Sequence, residues 1–496
     1  MTGEQQVSPA RYRFGDSTRA GVLLGLALRQ SVPLVVGVLW LTLWLMAQVP
    51  LVGMAGPVAG LVVAFGRWRR APLFEVAAPG ARLAWQRHRH RGVWVNAPLF
   101  GNGTTGDGQL PAALAGLELL DIAATVPGSG SMAVVHDRKA ATVSLVVRVA
   151  GEGFPVASLG EQDGLVAGWG GALAPLARAR CPVTRVTWQE WCHPVGVGAH
   201  RDYLASIRHD RDSDAARDYD QLLTAQAPAT IAHEVLVTVT VDLRRVRPGR
   251  GRPHLAAGID VVVDEVRLLC SRLEAAGLQV HGVLDPAGLT AAVRVRSDPG
   301  RSRDVETLRC SLAAAVGKGA LEWGPMAVEA DWFHTRVDCS VHRSFRVAGW
   351  PLLPVTADWL GPLLAGDAAT RTVTVVMEPV PITRAAMDAN RQLTSIEADQ
   401  EQKERHGFRL TARERRRHAD VEAREQELAT GHPEFRHVGF VTVTAADLDE
   451  LDDACARVEQ GAAQALLDLR PLAARQTDGW VASLPVGRSV RPGNWA

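Results

Sequence analysis

The sequence predicts an α+β chain. An N-terminal transmembrane helical hairpin leads into two related α+β halves with mostly antiparallel sheets and long charged helices. Three observations predict it. No charged residue occurs from Ser31 to Gly66. Val and Thr alternate at 235–241 and again at 438–444, each time followed by an amphipathic stretch. Residues Asp399–Glu427 interleave eight basic with eight acidic side chains, a pattern that suits solvated helices joined by i,i+4 pairs.

One straight helix over Ser31–Gly66 would be about 54 Å long, against a bilayer core of about 30 Å. Gln48-Val49-Pro50 offers a break near the middle, so two transmembrane helices of roughly 18 residues each are expected. Gly53, Gly56, Pro57 and Gly60 in the second arm permit close helix contact. Arg29 precedes the run, and Arg67, Arg69 and Arg70 follow it. Arg-rich flanks on both sides place both termini on the cytoplasmic side of the plasma membrane, as in a multi-pass protein. Trp68 stands where an interfacial anchor would. Asp16-Ser17-Thr18 can cap a short in-plane helix over Ala20–Leu28. Residues 67–95 are basic and Trp-bearing, which suits either attraction to anionic lipid or an ordinary flank; 96–111 read as a linker.

Beyond the linker, Ala141–Ala150 reads as a strand, Leu159–Ala179 as a helix, Val183–Trp191 as a strand, and Ala199–Ala225 contains a polar helix. The Val/Thr run Val235–Val241 predicts a strand with one dry and one wet face. Ile259–Ala276 is a helix closed by Gly277, Gln279–Leu284 a short strand, and Val328–Val347 a strand pair. The order then recurs. A strand at Thr372–Met377 precedes charged helices over Arg384–Thr430 and a Val/Thr strand at Val438–Thr444. A helix over Asp447–Leu469 follows, with Leu448, Leu451, Cys455, Val458 and Ala462 on one face. Leu472–Gln476 and Gly479–Leu484 close the chain. HEVLVTVTV at 233–241 and RHVGFVTVT at 436–444 mark the halves as related, each with helices covering one face of its sheet. Arg413, Arg415, Arg416 and Arg417 lie on the charged arm, where they suit i,i+4 pairing or the docking of a partner.

Composition narrows the function classes. The chain has 496 residues, room for two to four domains at roughly 100–200 residues each. Its 54 basic and 53 acidic residues leave a formal charge of +1, which argues against a generally basic nucleic-acid binder and against an acidic, disordered chain. Cys181, Cys192, Cys270, Cys310, Cys339 and Cys455 show no CxxC spacing and read as reduced thiols in a reducing compartment. No GxxxxGK[ST] loop, GxSxG elbow or HExxH motif occurs. Gly101-x-Gly103-x-x-Gly106 matches the dinucleotide fingerprint only formally, because Pro98 and Pro111 stand where a strand and a helix are needed. Trp191-Cys192-His193 with His200 and Asp202 is the densest set of ligand-type side chains, in no standard metal spacing. His136-Asp137 and Asp331 with His334 read as loop polar groups, and no two residues present themselves as general acid and base. A non-enzyme with no catalytic, cofactor or metal site is expected.

Two stretches carry a resemblance. RFGDSTRAGVLLGL and the charge-free run after it, residues 13–66, resemble the short two-span PrgI-like membrane subunits of actinobacterial and Gram-positive conjugation systems. RTVTVVMEPVPITRA at 371–385, the charged helices, and residues 431–488 ending in Leu484-Pro485-Val486-Gly487-Arg488 resemble the region just before the ATPase core in conjugation and type IV secretion ATPases of the CagE/TrbE/VirB family. No P-loop occurs after Arg488. The resemblance therefore implies a membrane subunit joined to the ATPase's docking region, with the motor on a separate polypeptide. No catalytic residue carries over, because the matching segment holds none in the family.

The expected organisation is an interfacial segment (1–30), the hairpin (31–66), a basic juxtamembrane segment and linker (67–111), a first α+β domain (112–325), and a second with the charged arm (326–496). The expected function is a non-catalytic inner-membrane scaffold of a conjugation or type IV-like secretion system. Its partners would be a P-loop ATPase at the cytoplasmic face, other channel subunits, the lipid bilayer and further copies of itself, without direct nucleic-acid binding. Open alternatives are a type VII secretion component resembling the EccE type, a membrane-anchored enzyme acting on a nucleotide or lipid, and a tethered nucleic-acid binder, which a continuous basic face would favour.

Overall fold

Pro50 at a helix start and a left-handed residue just before it turn the apolar run back on itself. In the computed structural model, which describes residues 12, 14, 28–68, 71–89, 92–95, 110–123, 130–151, 153–195, 198–207, 213–226, 231–249, 251–301, 324–366, 369–405 and 411–488, α1 (Leu28–Met46) and α2 (Pro50–Phe65) form a hairpin. Gln48 takes φ 57, and Pro50 begins α2, where a missing N–H costs little. Small residues set the helix separation: a Cβ on Gly37 would lie 2.7 Å from the Gly56 carbonyl oxygen, and one on Gly60 would lie 2.6 Å from that of Pro33. The outward faces are apolar and uncovered, with Met46 86% and Leu51 87% exposed.

The length of these helices corrects the expectation of two spans. No helix among the described residues is long and apolar enough to cross a membrane. The 16 residues of α2 give a rod of about 24 Å, and α1 carries Arg29 in its first turn. The turn over Ala47–Val49 and the end of α2 at Gly66 take up residues that two full spans would need.

The ribbon β1 (Arg67–Trp68) and β2 (Ala71–Pro72) leads into α3 (Leu73–His88), a helix where the sequence suggested only a basic flank. It rests on the body of the protein. Gly80 is so close to Trp332 that a Cβ would come within 2.8 Å of the ring, and Arg87 pairs with Asp331 at 2.7 Å. The in-plane helix expected over Ala20–Leu28 and the linker's GxGxxG match lie outside the described residues, apart from Leu28 itself. Tyr12 pairs with Val355, and Phe14 stacks on Trp350 and meets Trp359 edge-on.

The rest of the described chain builds one mixed α/β body. Its first half comprises β3 (Val93–Val95), β4 (Leu117–Ala123), β5 (Ser131–Asp137), β6 (Thr142–Ala150), α4 (Leu159–Leu173), β7 (Val183–Pro194), α5 (Gly198–Ile207), α6 (Asp214–Gln226), β8 (Ile231–Asp242), α7 (His254–Ala275), β9 (Gln279–Val283) and α8 (Pro286–Ser297). Its second half comprises β10 (Ala327–Ala330), β11 (Thr335–Val337), β12 (Ser340–Gly349), α9 (Gly361–Leu364), β13 (Arg371–Val380), α10 (Ile382–Arg405), α11 (Ala412–Ala429), β14 (Glu434–Ala445), α12 (Leu448–Gln464), β15 (Asp468–Pro471) and α13 (Gln476–Ala482). Local signals account for many of the boundaries. Ser158 with Glu161, and Thr411 with Glu414, are complete capping boxes opening α4 and α11. Asp447 caps α12, and Gly277 at φ 84 follows α7.

The two halves share a single antiparallel sheet of 13 strands, ordered β3-β10-β11-β12-β14-β13-β7-β8-β6-β5-β4, with β15 added to β12 and β9 to β6. The order β5-β6-β8-β7 with β9 on β6 repeats as β11-β12-β14-β13 with β15 on β12. The repeats meet antiparallel at β7 and β13, where Gln189 lies opposite Thr374, so a local two-fold axis passes through that pair.

Helices cover both faces of the sheet rather than one. On one face, α4 and α7 close over Val143, Leu145, Val237 and Val239 in the first half, and α12 closes over Val341, Phe345, Val441 and Val443 in the second. On the other face, Leu289 and Val293 of α8 and Trp480 of α13 meet Val135, Val146 and Leu236. The Thr face of the Val/Thr strands is therefore dry, which corrects the expected wet face: Thr238, Thr240 and Thr442 are buried. The hydroxyls of Thr240 and Thr442 pair across the sheet with those of Ser144 and Ser344, both at 2.9 Å.

The segment after α13 crosses this hydroxyl face from the second half to the first. Gln189 Nε2 donates to the carbonyls of Ala482 and Leu484, at 2.8 and 3.1 Å, and Arg185 donates to that of Gly487 at 2.6 Å. Gly487 has φ 65, and a Cβ there would lie 2.1 Å from Ser144 Oγ, so only glycine fits. Arg488 closes the crossing with two bonds to Asp137, both at 2.9 Å, and two more to the carbonyls of Ala113 and Ala115.

Candidate functional site

Of the membrane-flanking basic residues, Arg67 is exposed on β1, Arg29 lies on the backbone of α1, and Arg69 and Arg70 lie outside the described residues. Trp68 turns toward the body of the protein, meeting Trp332 edge-on at 5.3 Å and Phe333 at 5.2 Å. On the arm, Arg415 and Arg416 are exposed, Arg417 is half-buried, and Arg413 is on α11. Arg416 donates to the Leu352 carbonyl. Much of the arm's charge is spent internally. Arg424 grips Glu434 with two nitrogens, Arg405 pairs with Glu401 one turn away at 2.9 Å, and Arg436 reaches Asp388 at 3.0 Å. Lys403 pairs with Glu414, which with the Thr411 cap holds that carboxyl down at about 2.

The ligand-type set around Cys192 does not assemble as the sequence placed it. His193 stacks on Trp191 at 3.7 Å, and His200 bonds Tyr219 at 3.1 Å. Cys192 instead joins Glu190 and His233. Glu190 and Cys192 alternate onto one face of β7, and His233 stands opposite Cys192 on β8. His233 Nδ1 lies 2.7 Å from Glu190 Oε1 and 3.5 Å from Cys192 Sγ. The sequence reading missed His233; the i, i+2 pair beside a neighbouring strand was the available signal. Thiol, imidazole and carboxylate together could hold a borderline metal with one position open, short of a closed four-ligand centre. Burial, helped by Glu190, pushes the Cys192 thiol up to about 12. Next to this set, Glu234 bridges the fully buried Arg296 at 2.8 Å and Arg148 at 2.6 Å. Burial pulls the Glu234 carboxyl up, but the two arginines outweigh it and leave it ionised below its ordinary range. Glu234, Arg148 and Arg296 thus form an ion-paired network beside the thiol.

The other polar groups noted in the sequence are also paired. His136 meets Glu118 at 3.2 Å, and His334 lies 3.8 Å from Asp331. Asp137, which burial alone would raise, is held below the usual carboxylate range by Arg488 and by the backbone N–H groups of Ala140 and Lys139.

A broad concavity lies at the ends of the central strands, where β5 turns into β6, β7 begins, β8 ends and β13 gives way to α10. It measures about 1220 Å³. Its wall carries ten basic side chains, Lys139, Arg178, Arg180, Arg185, Arg244, Arg245, Arg247, Arg384, Arg436 and Arg488, against three acidic ones, Asp137, Asp242 and Glu378. Sequence reasoning missed this cleft because its walls come from segments far apart in the chain. The one local signal is the run Arg244-Arg245-Val246-Arg247. Arg488, the end of the crossing segment, is part of the same wall. No protein-family model matches this chain, and no curated protein matches it.

Proposed function

We propose that the chain is a non-catalytic, membrane-seated scaffold of a conjugation or type IV-like secretion complex, docking a P-loop ATPase carried on another polypeptide. One observation carries the reading. The segments that resemble the region before the ATPase core, 371–385 and 431–488, fold together as the second half, and their final residues Leu484–Arg488 are fixed on the sheet by Gln189, Arg185 and Asp137. A motor placed where it follows this region in the family would sit beside Arg488 and be held rigidly to the hairpin's platform. The uncovered apolar faces of α1 and α2 and the arginines at either end support seating in the bilayer from the cytoplasmic face, with both ends on that side. Helices of about 28 Å and about 24 Å suit a hairpin that dips into the bilayer. The charged arm, with Arg415 and Arg416 exposed, supplies a docking surface that a sheet edge alone would not.

Extraction of the tagged chain from native membranes in mild detergent tests the reading. A P-loop ATPase recovered in stoichiometric amount supports it. An ATPase-free chain that turns over a nucleotide or lipid by itself sinks it. Release of the chain from membranes by alkaline carbonate would separately remove the membrane part.

A further inference from the structure

The chain is neutral to within one charge overall, yet the cleft at the strand ends gathers ten cations against three acids. Three of the ten are already paired, Arg178 with Glu265, Arg436 with Asp388 and Arg488 with Asp137. Asp137 is engaged by Arg488, and an Asp242 oxygen accepts the backbone N–H of Arg244 at 2.9 Å. Lys139, Arg180, Arg245, Arg247 and Arg384 are exposed and form no ion pair among the described residues. Like charges crowded around one concavity repel each other, and these five have no ion-pair partner among the described residues to offset that repulsion. A bound anion relieves that repulsion. Four of the five are arginines, whose planar forks match phosphate oxygens two at a time. Among the described residues the wall contains no Phe, Tyr or Trp on which bases could stack. At about 1220 Å³ the cleft has room for several phosphates in a row.

We propose that this cleft is a binding site for a ligand carrying two or more linked phosphates, held by Arg245, Arg247 and Arg384. The phosphates could be supplied by a nucleotide or by anionic lipid head groups. The site does not depend on the ATPase-docking reading, and either can fail alone.

The test is calorimetric titration of the full chain, in non-ionic detergent, with inorganic tripolyphosphate at about 0.1 M salt, where long-range attraction is largely screened. Saturable binding is expected, weakened at least tenfold in Arg245→Ala/Arg247→Ala and unchanged in the α10 variant Arg391→Ala. Should the first pair fail to fold, Lys139→Ala/Arg384→Ala carries the same expectation. Displacement of tripolyphosphate by ATP assigns the nucleotide source, and displacement by short-chain cardiolipin, whose head group joins two phosphates, assigns the head-group source. Absence of saturable binding, or unchanged binding in both cleft variants, would overturn the proposal. So would polyglutamate binding as tightly as tripolyphosphate, or a single-stranded oligonucleotide displacing it far below the concentration needed for ATP; the latter would make the cleft a nucleic-acid site.

Discussion

Acidification should unlock the second half through one buried histidine. His342 sits on β12 with both ring nitrogens engaged, Nδ1 with Thr444 Oγ1 at 2.9 Å and Nε2 with the Ser297 carbonyl at 2.8 Å. The carbonyl can only accept, so Nε2 carries the proton and Nδ1 accepts from the Thr444 hydroxyl, a neutral ring. Burial drives its pKa from the ordinary 6.5 down to about 4. In the unfolded chain the ring protonates near 6.5, whereas in the folded chain it does not until near 4. The unfolded state therefore binds more protons between those values, and stability falls as pH falls. The contribution is complete above pH 6.5 and is lost progressively down to about pH 4. At about 1.4 kcal/mol per decade of proton affinity, the loss approaches 3 kcal/mol. Chemical denaturation at a series of pH values, wild type against His342→Gln, isolates this contribution from the carboxylates. The variant should be less stable at neutral pH and its stability should depend less on pH, by about 2–3 kcal/mol between pH 7 and 4. Histidine hydrogen–deuterium exchange read by mass spectrometry gives the pKa of His342 directly in the wild type, should the variant not fold. A His342 titrating at 6 or above, or pH curves that run parallel for the two proteins, would refute the reasoning.

Four further outcomes are expected. Gly487→Ala places a methyl where a Cβ would lie 2.1 Å from Ser144 Oγ, at φ 65, and should cost about 2–3 kcal/mol in a denaturant midpoint shift; an unchanged midpoint would mean the crossing segment is not held as described. Arg488→Ala leaves the buried Asp137 carboxylate without its cation and should destabilise by about 3 kcal/mol at neutral pH, with part of that loss disappearing as Asp137 is protonated in acid. In the hairpin, a Cβ on Gly56 would meet Trp40 at 2.4 Å, so Gly56→Leu should splay the helices and speed proteolysis at the Gln48 turn in micelles. A maleimide at pH 8 should label exposed Cys339 quickly and leave Cys192, whose thiol is held up at about 12, unlabelled until denaturant is added.

Most of the fold was legible because its signals are local. The Val/Thr alternation gives β8 and β14, the stripe through Leu451, Cys455 and Val458 gives α12, and Pro50 with the preceding Gln48-Val49 marks the hairpin turn. What failed was anything decided by the far side of a strand. A period of two says that Thr238 and Thr240 share a face; it does not say whether water or the 484–488 segment lies over them. α8 was missed for a related reason: its run Pro286–Ser297 carries arginines at 294 and 296 that look solvated, yet Arg296 is buried against Glu234. Span length failed because charge-free residues are not all helical residues: the turn at Ala47–Val49 and Gly66 leave α2 only 16 residues, and α1 reaches 19 only by taking in Arg29. The cleft could not be seen, since its cations become neighbours only when β7, β8 and β13 meet.

The internal repeat shows where the halves have diverged. In the second half the connection from α9 into β13 turns its arginine inward: Arg371 is almost fully buried and donates to the carbonyls of Leu363, Leu364 and Ala369 at 2.7, 2.5 and 2.8 Å. That guanidinium satisfies loop carbonyls that would otherwise be buried without donors, an exchange worth making only for a closed structure. In the first half the corresponding connection, from α4 into β7, leaves Arg180 exposed on the cleft wall, while Arg178 engages Glu265. The approach to the strand is therefore closed by an arginine in one half and lined by an exposed one in the other. Stability would favour the sealed form in both halves, because an outward arginine among like charges gains little from its own loop. The open form gains its advantage from something outside the chain, and the lack of aromatic residues around it points to charge, rather than shape or stacking, as what it recognises.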